Sequence, residues 1–283
     1  MTFSDPKTIL LAALLLVTAV FVTLWSRTSP LRLGIGFLTN FFDTLGIGSF
    51  ATTTTLFRLK KLVADENIPG TLNVGHALPT VVQALIYITI VEVDFTTLAP
   101  LIAAATAGSW IGAEIVAGMN RRAIQRGMGI ALLVAAVLMA MTALNRFPGG
   151  GTALALAQGK LVAGVLINFA LGALMTLGIG LYAPCMIMVS LLGMNPTAAF
   201  PIMMGSCAFL MPFGGYRFIR KEKYDLRAAM GLAIGGIPAV LIAALIVRSL
   251  PLNYVRWLVV VVVIYAAISL LRSSTQRPQV ATV

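Results

Sequence analysis

Thr44-Leu45-Gly46-Ile47-Gly48 returns, residue for residue, as Thr176-Leu177-Gly178-Ile179-Gly180. The offset is 132 residues, and at the same offset Phe37 matches Phe169 and Pro69 matches Pro201. Both copies lie in apolar stretches, 33–57 and 161–194, that are interrupted by glycines and, in the second, by Pro184. A glycine weakens a helix interior by about 1 kcal/mol and a proline by about 3 kcal/mol. In lipid, the backbone groups released by such a break need partners from protein or water. The two stretches therefore read as broken helices or re-entrant hairpins, and the recurrence reads as an internal duplication.

The surroundings of these stretches fix the class. Of the 283 residues, 59% are hydrophobic and 10% charged, against roughly 25% charged in an ordinary soluble domain. That composition excludes a soluble globular enzyme, a disordered chain, a collagen-like fibre and a secreted disulfide scaffold. It leaves an all-α polytopic membrane protein whose surroundings are the lipid bilayer. The net charge of +11 would suit a nucleic-acid partner, but Lys and Arg fall in short loops between apolar runs, where they act as topology signals. No nucleic acid is expected. Cys185 and Cys207 both lie in apolar stretches and suggest neither a disulfide framework nor a metal site; no cofactor is expected.

Spanning a bilayer takes about 20 mostly apolar residues. Ordinary spans are expected at 8–25, 71–91, 95–119, 127–144, 196–216, 228–247 and 257–271. The first lacks a basic leader and a small-residue cleavage site, so it reads as a retained helix and not a signal peptide.

Topology follows from Lys and Arg. If every segment crosses once, the basic residues divide almost evenly. If both broken segments enter and leave on the same side, with the N-terminus outside, fifteen of the 20 fall on the inner face. The positive-inside rule favours the second arrangement. Charge alone does not establish the first hairpin; its similarity to the second does. The chain then divides into an N-terminal transmembrane helix (1–30), repeat 1 (31–144), a linker (145–159), repeat 2 (160–272) and a cytoplasmic tail (273–283). Each repeat is one hairpin followed by three transmembrane helices. Three is odd, so the second repeat is inverted, a recurring transporter plan. The C-terminus is expected in the cytoplasm and the whole in the inner (plasma) membrane; a homodimer is open to it.

Gly36-Phe37-Leu38, the first Thr-Leu-Gly-Ile-Gly and Gly70-Thr71-Leu72-Asn73 resemble the first half-motif of the TauE/SafE sulfite exporter family. The segment from Phe169 to Gly193, followed by Ser206, resembles the second. The resemblance covers roughly 33–272. The family usually continues its Gly-Ile-Gly with more glycine, whereas here Ser49-Phe50 and Leu181-Tyr182 follow, the mark of a divergent subgroup. The resemblance implies transport of a small sulfur-containing anion, sulfite or an organosulfonate, usually outward.

An anion crossing lipid must regain what water gave it, yet no span carries Lys or Arg in its interior. A helix N-terminus carries about half a positive charge plus free N–H donors. Breaks at Gly46/Gly48 and Gly178/Gly180 would aim two such termini at one central point. Gly46, Gly48, Ser49, Gly178, Gly180 and Leu181 are the candidate binding residues, with Thr44 and Thr176 as hydroxyl partners; tight helix packing is the competing reading of the glycines. Asn73 and Ser206, which begin corresponding helices, either donate to a bound oxyanion or join helices. In Thr52–Thr55, one or two hydroxyls face the site and the rest bond back to helix carbonyls.

Asp43 is the one acidic residue in either broken segment and His76 the one histidine. Asp43 is a coupling site for a proton or cation, a cap for the next half-helix, or exposed at the hairpin base. His76 is a proton-coupling group or a neutral histidine bonded across a helix contact. Glu114 is read as pairing with Arg121. Neither a nucleophile–base set nor a metal cluster is in evidence, so the chain is not read as an enzyme.

Overall fold

The structure, a computed structural model, describes residues 28–146, 150–246 and 252–275. The expected helix at 8–25 lies outside them. The described helices are α1 (Pro30–Thr44), α2 (Ser49–Leu59), α3 (Ile68–Gly75), α4 (Ala77–Ile90), α5 (Phe95–Gly118), α6 (Arg121–Ala143), α7 (Gln158–Met175), α8 (Tyr182–Leu191), α9 (Ala199–Arg220), α10 (Leu226–Ile246) and α11 (Leu252–Thr275). No strand occurs among the described residues. Among the described residues, six segments are long and apolar enough to cross a membrane: Asp65–Ile90, Phe95–Gly118, Arg121–Met141, Gln158–Met175, Pro196–Arg220 and Leu226–Leu245.

Both glycine-rich stretches break where the sequence places the break, between α1 and α2 and between α7 and α8. Interhelical contacts show that each break reverses the chain. On one face of the molecule, the Thr28 hydroxyl donates to the Arg227 carbonyl, and the Asp225 N–H donates to Thr71 at the start of α3. The same face holds Arg58, at the end of α2, against Asp65 and against Ser269 and Ser273 of α11. The start of α1 and the end of α2 thus share that face, with the α5–α6 and α9–α10 turns. On the opposite face Asp94 N–H donates to Leu154 O, Asn195 N–H to Ala153 O, and Lys160 Nζ to Leu192 O. The start of α7 and the end of α8 share this second face. The two hairpins therefore enter from opposite sides.

Helix α1 runs parallel to α10, and α7 runs parallel to α5, each pair at backbone contact. A Cβ on Gly36 would stand 2.4 Å from the Gly231 carbonyl oxygen, and one on Gly172 would stand 2.1 Å from that of Ala105. An asparagine staples each pair: Asn40 Nδ2 donates to Leu232 O at 3.5 Å and Asn168 Nδ2 to Leu101 O at 2.7 Å. Helix α6 packs on α11, α2 on α11 and α8 on α6. Shifting α1 to α7 and α10 to α5 thus converts one packing pair into the other.

Two local results depart from the sequence reading, at His76 and at Glu114. The span expected at 71–91 is interrupted at His76, because Pro79 supplies no N–H to the carbonyl one turn back and crowds it. The stretch 150–157 is tied down by Gly151 N–H to Met194 O and Leu156 N–H to Thr97 Oγ1. Glu114 meets Arg217 at 2.9 Å, and Lys221, instead of Arg121. Helix α9 lies alongside α5, whereas the turn after Gly118 sends Arg121 toward Asp65 and Glu66.

Candidate functional site

The two Gly-Ile-Gly tips meet. A cavity of about 40 Å³ is bordered by Gly46, Ile47 and Gly48 from the first and by Ile179, Gly180 and Tyr182 from the second, with α6 closing one side through Ala135, Leu138 and Met139. A second cavity of about 30 Å³ shares Gly48, Phe50, Gly180 and Tyr182 with it and is bordered further by Asp43, Ser49, Leu181, Cys207 and four methionines. Together they have room for a handful of water molecules, at roughly 10–15 Å³ each.

The chain reverses at the first tip through Gly46 (φ +81°) and Gly48 (φ +89°), and at the second through Gly178 (φ +108°). These are left-handed conformations in which a Cβ costs energy. Gly46 is doubly constrained: a Cβ there would stand 2.6 Å from the Tyr182 ring of the other hairpin. Tyr182 in turn packs edge-on against Phe200, Phe200 stacks on Tyr87, and the Tyr87 hydroxyl donates to the Thr44 carbonyl at 2.6 Å. An aromatic chain therefore ties one tip to the other.

A hairpin tip brings together the carbonyl end of one helix and the N–H end of the next. At the carbonyl ends, Phe42, Asp43 and Thr44 carbonyls accept from Leu45, Gly46, Ile47 and Tyr87, and Met175 O accepts from Gly178. At the N–H ends, Ser49 N–H donates to Asp43 Oδ1 at 2.7 Å. Among the described residues, the N–H groups of Gly48, Phe50 and Ala51 and those of Gly180, Leu181 and Ala183 meet no protein acceptor. All six residues border the two cavities. The second tip has no carboxylate cap, since Met175 stands where the first has Asp43.

Asp43 is thus the cap of α2, and its other oxygen accepts from Gln83 Nε2 at 3.2 Å; it also borders the cavity. His76 is buried beside the tips in a closed set of hydrogen bonds. Asn40 Nδ2 donates to Gly36 O at 2.7 Å, which leaves Asn40 Oδ1 facing His76 Nδ1 at 2.9 Å. The Thr53 hydroxyl stands 3.0 Å from Nε2. One tautomer satisfies both: Nδ1–H donates to Asn40, and Thr53 donates to Nε2.

The remaining expected residues do not border either cavity. Thr44 donates to Asn40 O and accepts from Gln83; Thr176 bonds back to Ala173 O. Ser206 accepts from Asn168 at 3.0 Å between α7 and α9. Asn73 donates to Pro69 O, and its buried Oδ1 has no partner. Of the threonine run, Thr52 and Thr55 bond back to carbonyls, Thr53 meets His76, and Thr54 Oγ1 is buried without a partner. Cys185 and Cys207 are buried free thiols; unlike the others, Cys207 borders the second cavity, 3.5 Å from Met175 Sδ. Asn40, Gln83, Tyr87 and Ala183 escaped the sequence reading; uncharged polar residues in apolar spans are the signal for the first two.

Fold and site together define an all-α polytopic membrane protein with two opposed hairpins meeting inside the helix bundle. The Sulfite exporter TauE/SafE family matches residues 3–139 and 160–282. The chain belongs to that family, one of membrane transporters of sulfur anions. No curated protein and no solved structure matches the chain.

Proposed function

We propose that the chain is a secondary transporter that carries sulfite or a small organosulfonate outward by alternating access. The six residues whose N–H groups meet no protein acceptor, from two facing hairpin tips, border the same small cavities. This observation carries the reading. Such groups favour a negative charge without desolvating a lysine or arginine in lipid.

In this reading 31–144 and 160–272 are inverted repeats joined by 145–159, and one moves against the other around the fixed site. Thirteen of the described Lys and Arg lie on the face where α2 ends, against Arg146, Lys160 and Arg256 toward the other. That basic face is cytoplasmic by the positive-inside rule, which puts the C-terminus inside and, with a spanning helix at 8–25, the N-terminus outside.

Asp43 supports a second reading, proton-coupled import of an organic anion. Its carboxylate sits at a helix N-terminus beside the cavity and competes there with an incoming anion; a proton on Asp43 removes the competition. Asp43 also marks the remaining rival, a cation carrier. Asp43→Asn keeps a capping side chain and separates the cases. A cation carrier loses binding, whereas a proton-coupled anion carrier keeps binding and loses its pH dependence. His76→Gln tests the same coupling at the second candidate. Purified protein in liposomes should move labelled sulfite or a small sulfonate. Absence of oxyanion flux under every imposed pH gradient contradicts the proposal.

A further inference from the structure

A cavity of about 560 Å³ opens at the end of α2 on the basic face, between α2, the start of α6 and the end of α11. Arg58, Lys61 and Arg121 border it against a single carboxylate, Asp65, with Ser269 and Ser273 opposite. Arg58 is held in place: it donates to Asp65 at 2.5 Å, to Ser269 at 3.0 Å and to Ser273 at 3.2 Å. Asp65 is also engaged by Gln125 at 2.8 Å. Lys61 has no partner among the described residues, and Arg121 is mostly exposed, with its carboxylate contacts at 3.7 and 3.8 Å.

Lys61 also stands at φ +50°, just past the end of α2, where Leu62 N–H closes onto Phe57 O. Glycine is the usual residue at such a position. A lysine held there against backbone preference places an unpaired ammonium at the cavity rim.

Helix α2 connects this cavity to the hairpin tips. Ala51 borders the tip cavity and Arg58 the basic one. Thr54 lies three residues from the first and four from the second, so all three share one helix face. Thr54 Oγ1 is buried and unpaired, although a helical threonine can bond back one turn, as Thr52 and Thr55 do.

We infer that the basic cavity is a second oxyanion-binding station, and that the α2 face Ala51–Thr54–Arg58 is the route between it and the hairpin tips. This rests on the cytoplasmic placement proposed above. The excess positive charge concentrates small oxyanions at the mouth, and the Thr54 hydroxyl serves a passing anion where the lining is otherwise apolar.

The test needs no transported substrate. Thr54→Cys is introduced into a Cys185→Ala, Cys207→Ala background and treated, on the cytoplasmic face of membrane vesicles, with two membrane-impermeant methanethiosulfonates. One carries an ethylsulfonate and the other an ethyltrimethylammonium; Ala64→Cys at the cavity rim is the accessible control. With rates normalised to a free thiol, the anionic reagent should label Thr54→Cys several-fold faster than the cationic one. Lys61→Gly, which suits the backbone there, combined with Arg121→Gln should bring the ratio close to one. Labelling of Ala64→Cys without Thr54→Cys, labelling of Thr54→Cys only from the other face, or a ratio unmoved by loss of both charges overturns the inference. Failure of sulfite flux bears on the proposed substrate and leaves this test standing.

Discussion

Gly180 and Gly46 separate binding from folding at the same pair of tips. Gly180 has open space where a Cβ would go and no left-handed φ. Gly180→Ala should leave thermal stability in detergent within about 0.5 kcal/mol. The added methyl beside the free N–H groups should weaken sulfite binding about 10-fold, some 1.4 kcal/mol, as read by titration of the purified protein. Gly46→Ala meets both a left-handed φ and the Tyr182 ring, so it should destabilise the fold by about 1–3 kcal/mol and lower the melting temperature. The glycine breaks were legible because the same five residues occur twice. The donors at Phe50 and Ala183 were not, because every residue but proline carries an N–H and only the three-dimensional turn decides which go unpaired.

At the scale of elements, the helix pairs α1–α10 and α5–α7 depend on close backbone approach. A Cβ on Gly108 would stand 1.9 Å from Phe169 O. Gly108→Ala must therefore push α5 and α7 apart, at about 1–3 kcal/mol for an overpacked contact, visible as a lower melting temperature. Asn40→Ala should cost about 1–3 kcal/mol, since it strands His76 Nδ1–H in a dry contact; the same measurement reads it, and an unchanged melt would remove His76 from the structural role assigned here. The spans expected at 71–91, 95–119, 127–144, 196–216 and 228–247 were legible from hydropathy. The convergence of Asn40, Thr53 and His76 was not, since two helices and the break between two others supply it. The break at His76 was within reach, because Pro79 stands three residues on in the sequence. The Glu114 pairing was misread because spacing along one helix says nothing about a neighbour lying parallel to it.

For the whole molecule, two hairpins enter one bundle from opposite sides, and the proposed orientation puts the basic face in the cytoplasm. Reporter fusions should be active in the cytoplasm when attached after Thr275 and inactive there when inserted at the 150–157 stretch; the reverse pattern would invert the proposed direction of access. The opposition of the hairpins was legible from charge together with the odd number of spans per repeat. Their meeting tip to tip was an expectation only, and it depends on the Tyr182–Phe200–Tyr87 chain that no spacing rule announces. In the proposed transporter, backbone N–H groups at the tips, and not a basic side chain, hold the anion there. Crystals of the protein soaked in selenite, a sulfite analogue located by its anomalous scattering, test it most directly. The account predicts selenium between the tips, with oxygens about 2.7–3.2 Å from N–H groups among Gly48, Phe50, Ala51, Gly180, Leu181 and Ala183. Selenium absent from the tips, or found only beside Arg58 and Lys61, would contradict it.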